Sequence, residues 1–443
     1  MNIFKRKIYE KIKDWKESSQ GRTALLIEGP RRVGKSTIVR AFAEEQYESF
    51  LFIDFSVCPS RIRKLFDDPS DLDYLFLQLQ TEYNVVLKPR KSLLVFDEIQ
   101  FCPKARQAIK HLVSDRRYDY IETGSLISIH KNVKDILIPS EEKKIYMYPM
   151  DYEEFCWACG DMNHVPFLRQ FFNQKLPLGA AHRNAMRLFR LYMLVGGMPQ
   201  AVAAYLEHNN FQVVDEVKRE IISLYEDDFH KIDTTGQLSM LFDSIPGELA
   251  KNSFRYQVST VLKGKRADDI LGFIAELVDS RTVLVSYHAN EPNPMMSMTK
   301  DIRRFKLFTA DTGLFVTLAF KDRDFTENVL YKKLLSDKLP ANLGYLYENA
   351  VAQTLASAGN QLFYYTFPND KRKTSYEIDF LLSRQGKLVP LEVKSSGYKT
   401  HSSLDVFGKR YSRYVGQKYL IYTKDFARDG EVICLPIYMT QFL

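Results

Sequence analysis

The chain predicts an α/β fold built on a parallel sheet, and three segments carry that prediction. An apolar run, Ala24-Leu25-Leu26-Ile27, stands immediately before Gly29-Pro30-Arg31-Arg32-Val33-Gly34-Lys35-Ser36-Thr37, a glycine-rich turn that opens a helix from about Ser36. Ser92-Leu93-Leu94-Val95-Phe96-Asp97-Glu98 is a second apolar run, the pattern of a strand covered on both faces. Tyr120-Ile121-Glu122-Thr123-Gly124-Ser125 is a third strand, with small hydroxyl residues at its end. Phe50-Leu51-Phe52-Ile53-Asp54 and Lys144-Ile145-Tyr146-Met147-Tyr148 supply two more, so residues 1–160 read as strands alternating with helices around one sheet.

The spacing from Gly29 to Thr37 is G-x-x-x-x-G-K-[ST] at a strand-to-helix junction, the context of a phosphate-binding loop. Glycines at 29 and 34 let the backbone curl until its N–H groups converge on phosphate oxygens. Lys35 adds a point charge at the β- and γ-phosphates, and the Ser36 hydroxyl is a ligand for Mg²⁺. The helix that follows turns its positive end to the same anion. Nucleotide binding across residues 29–37 is the resulting expectation.

Ligands of parallel sheets sit at the carboxyl ends of the strands. Asp97 is placed there to hold Mg²⁺ through water, and Glu98, one residue on, to act as general base toward an attacking water. For Thr123 and Ser125 two readings stay open. Either contacts the γ-phosphate or the lytic water, or both belong to a Gly-Ser turn whose hydroxyl caps the next helix.

At 443 residues, two to four domains are expected. The composition is that of a globular protein, 45% hydrophobic and 26% charged, without repeats or low-complexity tracts. No apolar stretch approaches the ~20 residues that span a bilayer, and the first residues lack the apolar region of a signal peptide. A cytoplasmic protein with no membrane partner is expected. The net charge of +7 permits nucleic acid without demanding it. The clusters Lys371-Arg372-Lys373 and Lys263-Gly264-Lys265-Arg266 read first as solvated loops. Cys156-Trp157-Ala158-Cys159 is a lone C-x-x-C on a helical pattern, with no second pair to complete a zinc site, and reads as inert thiols.

From 161 to 235 the pattern is helical, a segment placed to act as a lid and broken at Gly196-Gly197-Met198-Pro199. Pro199 either approaches the nucleotide or simply ends a helix. Residues 236–325 suggest a winged helix, helical segments leading to a strand at Thr282-Val283-Leu284-Val285-Ser286-Tyr287 and a return strand. Its would-be recognition helix carries Asp268, Asp269, Glu276 and Asp279, which repel DNA phosphates, so a structural or protein-contacting module is expected.

Residues 326–443 are again α/β. A helix beginning at Gly344 bears Glu348 and ends near Gly359. A strand over 376–382 puts Glu377 and Asp379 on one face, and a second strand puts Glu392 and Lys394 together. Asp379 with Glu392-Val393-Lys394 on paired strands is the PD-(D/E)xK arrangement. Two carboxylates suit Mg²⁺, with Glu348 completing the shell, and Lys394 orients or deprotonates a metal-bound water. Glu-x-Lys on an amphipathic strand is also a common surface ion pair.

Together these segments resemble a large bacterial and archaeal family that joins an AAA+ P-loop ATPase core to a C-terminal restriction-endonuclease-like domain. The resemblance rests on Ala24 through Thr37, Phe96-Asp97-Glu98-Ile99-Gln100, Thr123-Gly124-Ser125 and Tyr148-Pro149-Met150-Asp151-Tyr152-Glu153-Glu154-Phe155. Gly196-Gly197-Met198-Pro199, Tyr347-Glu348-Asn349, Asp379 and Glu392-Val393-Lys394 complete it. It implies a P-loop parallel-sheet ATPase core (1–160), a helical lid (161–235), a winged-helix-like domain (236–325) and a PD-(D/E)xK nuclease-like α/β domain (326–443). ATP and Mg²⁺ are the implied cofactors, with nucleic acid, or a protein at the winged helix, as partner. Relatives often carry Gly-Tyr-Glu or Gly-Arg before the last core strand, where this chain has Pro139-Ser140-Glu141-Glu142.

No arginine occurs between Arg117 and Arg169, where ring-forming AAA+ motors usually place an arginine finger. Lys131, Lys134, Lys143 and Lys144 are the available stand-ins, point charges without bidentate geometry. A slow nucleotide-dependent switch is expected rather than a fast ring.

Overall fold

The structure is a computed structural model that describes residues 3–124, 139–251, 253–321, 328–336, 344–369, 373–395 and 400–443. The chain forms two compact units, Met1–Tyr148 with Asp279–Arg281, and Pro149–Val278 with Thr282–Leu443.

In the first unit, β1 (Ala24–Glu28), β2 (Ser49–Asp54), β3 (Ser92–Asp97), β4 (Asp119–Gly124) and β5 (Glu142–Tyr146) form a parallel sheet in the order β2-β3-β4-β1-β5. Leu25 and Ile27 pack with Trp15, Ile38 and Phe42 of the helices Ile8–Ser19 and Lys35–Gln46. Ala24 and Leu26 pack on the other face with Phe76, Ile109 and Leu112. Burial on both faces is why β1 and β3 read as unbroken apolar runs, and each fully buried Leu or Ile contributes roughly 1.5–3 kcal/mol. Because the strands are parallel, Glu28, Asp54, Asp97 and Gly124 end at one edge of the sheet. β5 falls earlier than the 144–148 run, since β1 offers nothing further to pair once Met147 N–H has bonded Glu28 O at 2.8 Å.

The helix Tyr152–Ala158 belongs to the second unit, whose first segment begins at Pro149. Helices His164–Gln174, His182–Val195, Pro199–His208 and Phe211–Ile232 follow. After the helix Ala267–Asp279, β6 (Val283–Ala289) and β7 (Lys300–Thr309) pair antiparallel. β6 also pairs in parallel with β8 (Leu362–Pro368), and β8 pairs with β9 (Ser375–Ile378), giving one sheet, β7-β6-β8-β9. Strands before and after residue 325 thus share one sheet. An isolated hairpin is marginal and leaves an open edge, and β8 covers that edge.

β10 (Phe380–Arg384), β11 (Lys387–Val393), β12 (Lys418–Tyr422), β13 (Ala427–Asp429) and β14 (Val432–Pro436) form the other sheet, in the order β10-β11-β12-β14-β13. The strand predicted over 376–382 is broken at Asp379, with β9 paired to β8 and β10 to β11. The helix Gly344–Ser357 is followed by Gly359 at φ 87°, the left-handed closure expected there. Among the described residues no helix is long and apolar enough to cross a membrane.

Candidate functional site

The loop between β1 and the helix Lys35–Gln46 curls through left-handed conformations at Arg32 (φ 64°) and Gly34 (φ 97°). Gly29 is needed for close approach: a Cβ there would stand 2.4 Å from Met147 O. Val33 is fully buried and fastens the loop to the apolar cluster of Ile38 and Met147. Lys35 Nζ donates to Gly29 O and Pro30 O, each at 2.9 Å. Burial pulls its pKa down to about 8, against the opposing pull of Glu98 and Asp97.

Ser36 Oγ donates to Asp97 Oδ1 at 2.8 Å, and the Thr123 hydroxyl donates to the same oxygen. Strand order explains the meeting, since β4 lies between β1 and β3 and puts Thr123 beside both. Burial raises the Asp97 pKa, and the two hydroxyls oppose the rise. Glu98 takes φ 53° and leaves the line of β3, its carboxylate accepting from the Gln100 side-chain amide. An open cavity of about 800 Å³ runs along this edge, lined by Arg31, Ser36, Thr37, Asp54, Asp97 and Glu98 among others. Hydroxyl and carboxylate oxygens so placed suit a hard divalent cation, and the residues fit Mg²⁺. Ser125, Lys131 and Lys134 lie outside the described residues.

Lys144 Nζ lies 3.8 Å from Glu28 and 3.7 Å from Glu142, so it serves buried carboxylates of the sheet. Arg106 holds Glu142 through two hydrogen bonds of 2.9 and 2.8 Å. Asp54, paired in register with Asp97, is a site-edge residue that sequence reasoning did not single out. Its signal is an acid ending an apolar strand, as at Asp97.

Pro199 belongs to the second unit and stands in the first turn of its helix. The glycines before it are taken up by packing: Gly197 N–H donates to Asp311 at 2.5 Å, and a Cβ on Gly197 would stand 2.1 Å from Met150 O. Burial pushes the Cys156 thiol up and the Cys159 thiol up to about 11, which disfavours thiolate at neutral pH.

Two of the C-terminal acids meet at a lysine. Lys306 of β7 places Nζ 2.9 Å from Glu348 and 2.9 Å from Glu377. Asp379 accepts from Val393 N–H at 2.7 Å, and burial with the charges of Glu348 and Glu377 pushes its carboxyl well above the usual range. Glu392 pairs with Lys394 at 2.7 Å. Among the described residues no three His, Cys, Asp or Glu side chains are arranged to hold a metal ion. Lys306 pairs with Glu348 and Glu377, whereas Asp379 is held by Val393 N–H and Glu392 by Lys394. The signal for Lys306 was a lone charge within Phe305-Lys306-Leu307-Phe308, an apolar run.

Residues 21–156 match the family model described as an AAA domain. Residues 186–324 and 343–439 match two models described as domains of unknown function, DUF8612 and DUF4143. No curated protein matches the chain. Among solved structures it is similar to a Walker-type ATPase of Pyrococcus abyssi, at 17% identity over 71% of this chain and 96% of that one, with a TM-score of 0.43. A signal transduction ATPase with numerous domains and a tetratricopeptide repeat sensor, from Pyrococcus horikoshii, matches at 10% identity over 81% of this chain and 50% of that one, TM-score 0.29. The Orc1 protein of Aeropyrum pernix, solved in complex with DNA, matches at 11% identity over 76% and 93%, TM-score 0.23. Loop motif, parallel sheet and the match to the AAA domain model coincide on the first unit.

Proposed function

We propose that the first unit binds and hydrolyses ATP with Mg²⁺ and works as a slow conformational switch. The observation that carries this is the convergence of Lys35, Ser36 and Asp97 at one sheet edge, tied by the 2.8 Å Ser36–Asp97 hydrogen bond. The N–H groups of residues 31–37 cradle the phosphates, and Lys35 exchanges the Gly29 and Pro30 carbonyls for phosphate oxygens. Ser36 and Asp97 are the residues that would hold Mg²⁺, which when bound offsets charge developing on the phosphates. Glu98 takes a proton from the attacking water on its carboxylate, which Gln100 steadies. Thr123 holds Asp97 in place.

The test is Mg²⁺-dependent ATP binding and phosphate release by wild type, Lys35→Ala and Glu98→Gln. Lys35→Ala should lose binding, and Glu98→Gln should bind without turning over. Identical behaviour of all three proteins would sink the proposal.

For the second unit we infer a module that binds nucleic acid or protein without cleaving it, responding to the nucleotide state of the first. The pairing of Glu348 and Glu377 with Lys306 supports this reading. The acid-bearing helix Ala267–Asp279, whose Asp268 is paired with Arg303 at 2.6 Å, favours a protein partner. One observation favours a nuclease instead, namely the Glu392–Lys394 pair whose lysine also feels the charge of Asp379. Plasmid and single-stranded substrates incubated with Mg²⁺ or Mn²⁺ decide between them. Cleavage by wild type and none by Asp379→Ala would select the nuclease.

A further inference from the structure

A phosphate loop works only if its N–H groups point inward, which turns its carbonyl groups outward and obliges them to find donors elsewhere. Lys35 supplies two of those donors, to Gly29 O and Pro30 O. The carbonyl of Val33, in the middle of the loop, is served from outside the motif. Arg6, which precedes the helix Ile8–Ser19 and is only 5% exposed, donates Nη1 to Val33 O at 2.9 Å. The same guanidinium donates Nη2 to Tyr148 O at 2.6 Å. One planar cation thus bridges the loop and Tyr148, just past β5, carbonyls that belong to distant parts of the chain.

We propose that Arg6 is a positioning residue for nucleotide binding. It holds the Val33 carbonyl away from the phosphate cradle and registers the loop against the exit of β5 at Tyr148. Around the cradle, Met147 O already lies so close to Gly29 that no side chain fits there, so loop and β5 exit share one wall. Arginine suits the role because its fork reaches two acceptors with fixed geometry, whereas an ammonium on a flexible stem serves them poorly. The inference rests on reading residues 29–37 as the phosphate loop.

The test uses the full chain, with Arg6→Met, Arg6→Lys and Lys35→Ala, and a slowly hydrolysed ATP analogue with Mg²⁺. A hydrogen bond from a charged donor to the loop predicts that Arg6→Met weakens analogue binding about 10–100-fold. It should raise KM for ATP more than it lowers kcat, because saturating nucleotide re-forms the loop. Arg6→Lys should recover part of the affinity by serving one carbonyl. Wild-type affinity in a folded Arg6→Met protein overturns the proposal, as does a fall in Tm with KM unchanged. If Arg6→Met does not fold, wild-type KM in Arg6→Lys overturns it equally. Lys35→Ala separates the two readings. Lost binding there with normal Arg6 variants refutes the role of Arg6 alone, and normal binding in Lys35→Ala refutes the phosphate loop itself.

Discussion

Ser36 and Asp97, 61 positions apart in the chain, meet through a 2.8 Å hydrogen bond at the carboxyl edge of the parallel sheet. Thr123, on β4 between β1 and β3, donates to the same carboxylate oxygen. Two strand ends and the first turn of a helix thereby converge on one acid in a partly desolvated place, where burial already raises the cost of its charge. A divalent cation beside it would relieve that cost.

Asp97→Asn removes the charge but keeps the shape. Its ATP affinity with Mg²⁺ should fall about 10–100-fold, since charge-assisted contacts are worth about 1.5–3 kcal/mol. The affinity without Mg²⁺ should change little. Calorimetric titration of an ATP analogue in the presence and absence of Mg²⁺ checks both halves of the prediction.

Gly29→Ala should fail for a steric reason. The new Cβ would meet a backbone carbonyl, Met147 O, at 2.4 Å, and backbone does not step aside as a flexible side chain does. A loss of about 1–3 kcal/mol is expected, typical of overpacking, together with weakened nucleotide binding. Thermal melting of the first unit's transition and analogue titration measure the two effects.

Lys306→Met should be among the most damaging single changes in the second unit. It leaves the half-buried Glu348 and Glu377 without their cation, and stripping one partner from a fully buried pair costs about 3–5 kcal/mol. Adding Glu377→Gln should restore much of the lost Tm, because the surplus charge goes with it. If the double variant melts as low as the single one, the ammonium is not what holds the cluster.

The elements around the nucleotide edge were legible in the sequence because local pattern decides them. Ala24-Leu25-Leu26-Ile27 is apolar on both faces, and the loop after it is fixed by glycines at set spacing. Ser36 and Asp97 could be named for the same reason, each one standing at a strand or helix end. Arg6, Lys306 and Asp311 could not, for their partners lie far along the chain and leave no periodic trace. The break at Asp379 was hidden similarly. Alternation alone cannot show that residues 375–378 pair with one strand and 380–384 with another. Nor could it show that β6 shares a sheet with β8.

Lys218 offers a prediction about pH. It is fully buried, donating to Leu194 O at 2.9 Å, Gly313 O at 3.2 Å and the Tyr331 hydroxyl at 2.9 Å. Burial lowers its pKa from 10.5 to about 8, although Asp215 and Asp311 pull upward, with Arg219 adding to the fall. Between those two values the unfolded chain holds a proton that the native chain has released, so folding stability gains as pH rises through that window. Below about pH 8 the lysine is charged in both states and the full cost of burying it is present. Lys35 shifts the same way, so the informative quantity is a difference between proteins. Melting temperatures of wild type and Lys218→Met, measured at steps from pH 7 to 10, should converge or diverge accordingly. The wild type should gain on the variant as pH increases, even though Lys218→Met loses three hydrogen bonds and starts lower. Parallel curves would mean that Lys218 keeps its proton throughout, held by Asp215 and Asp311 more strongly than burial opposes it.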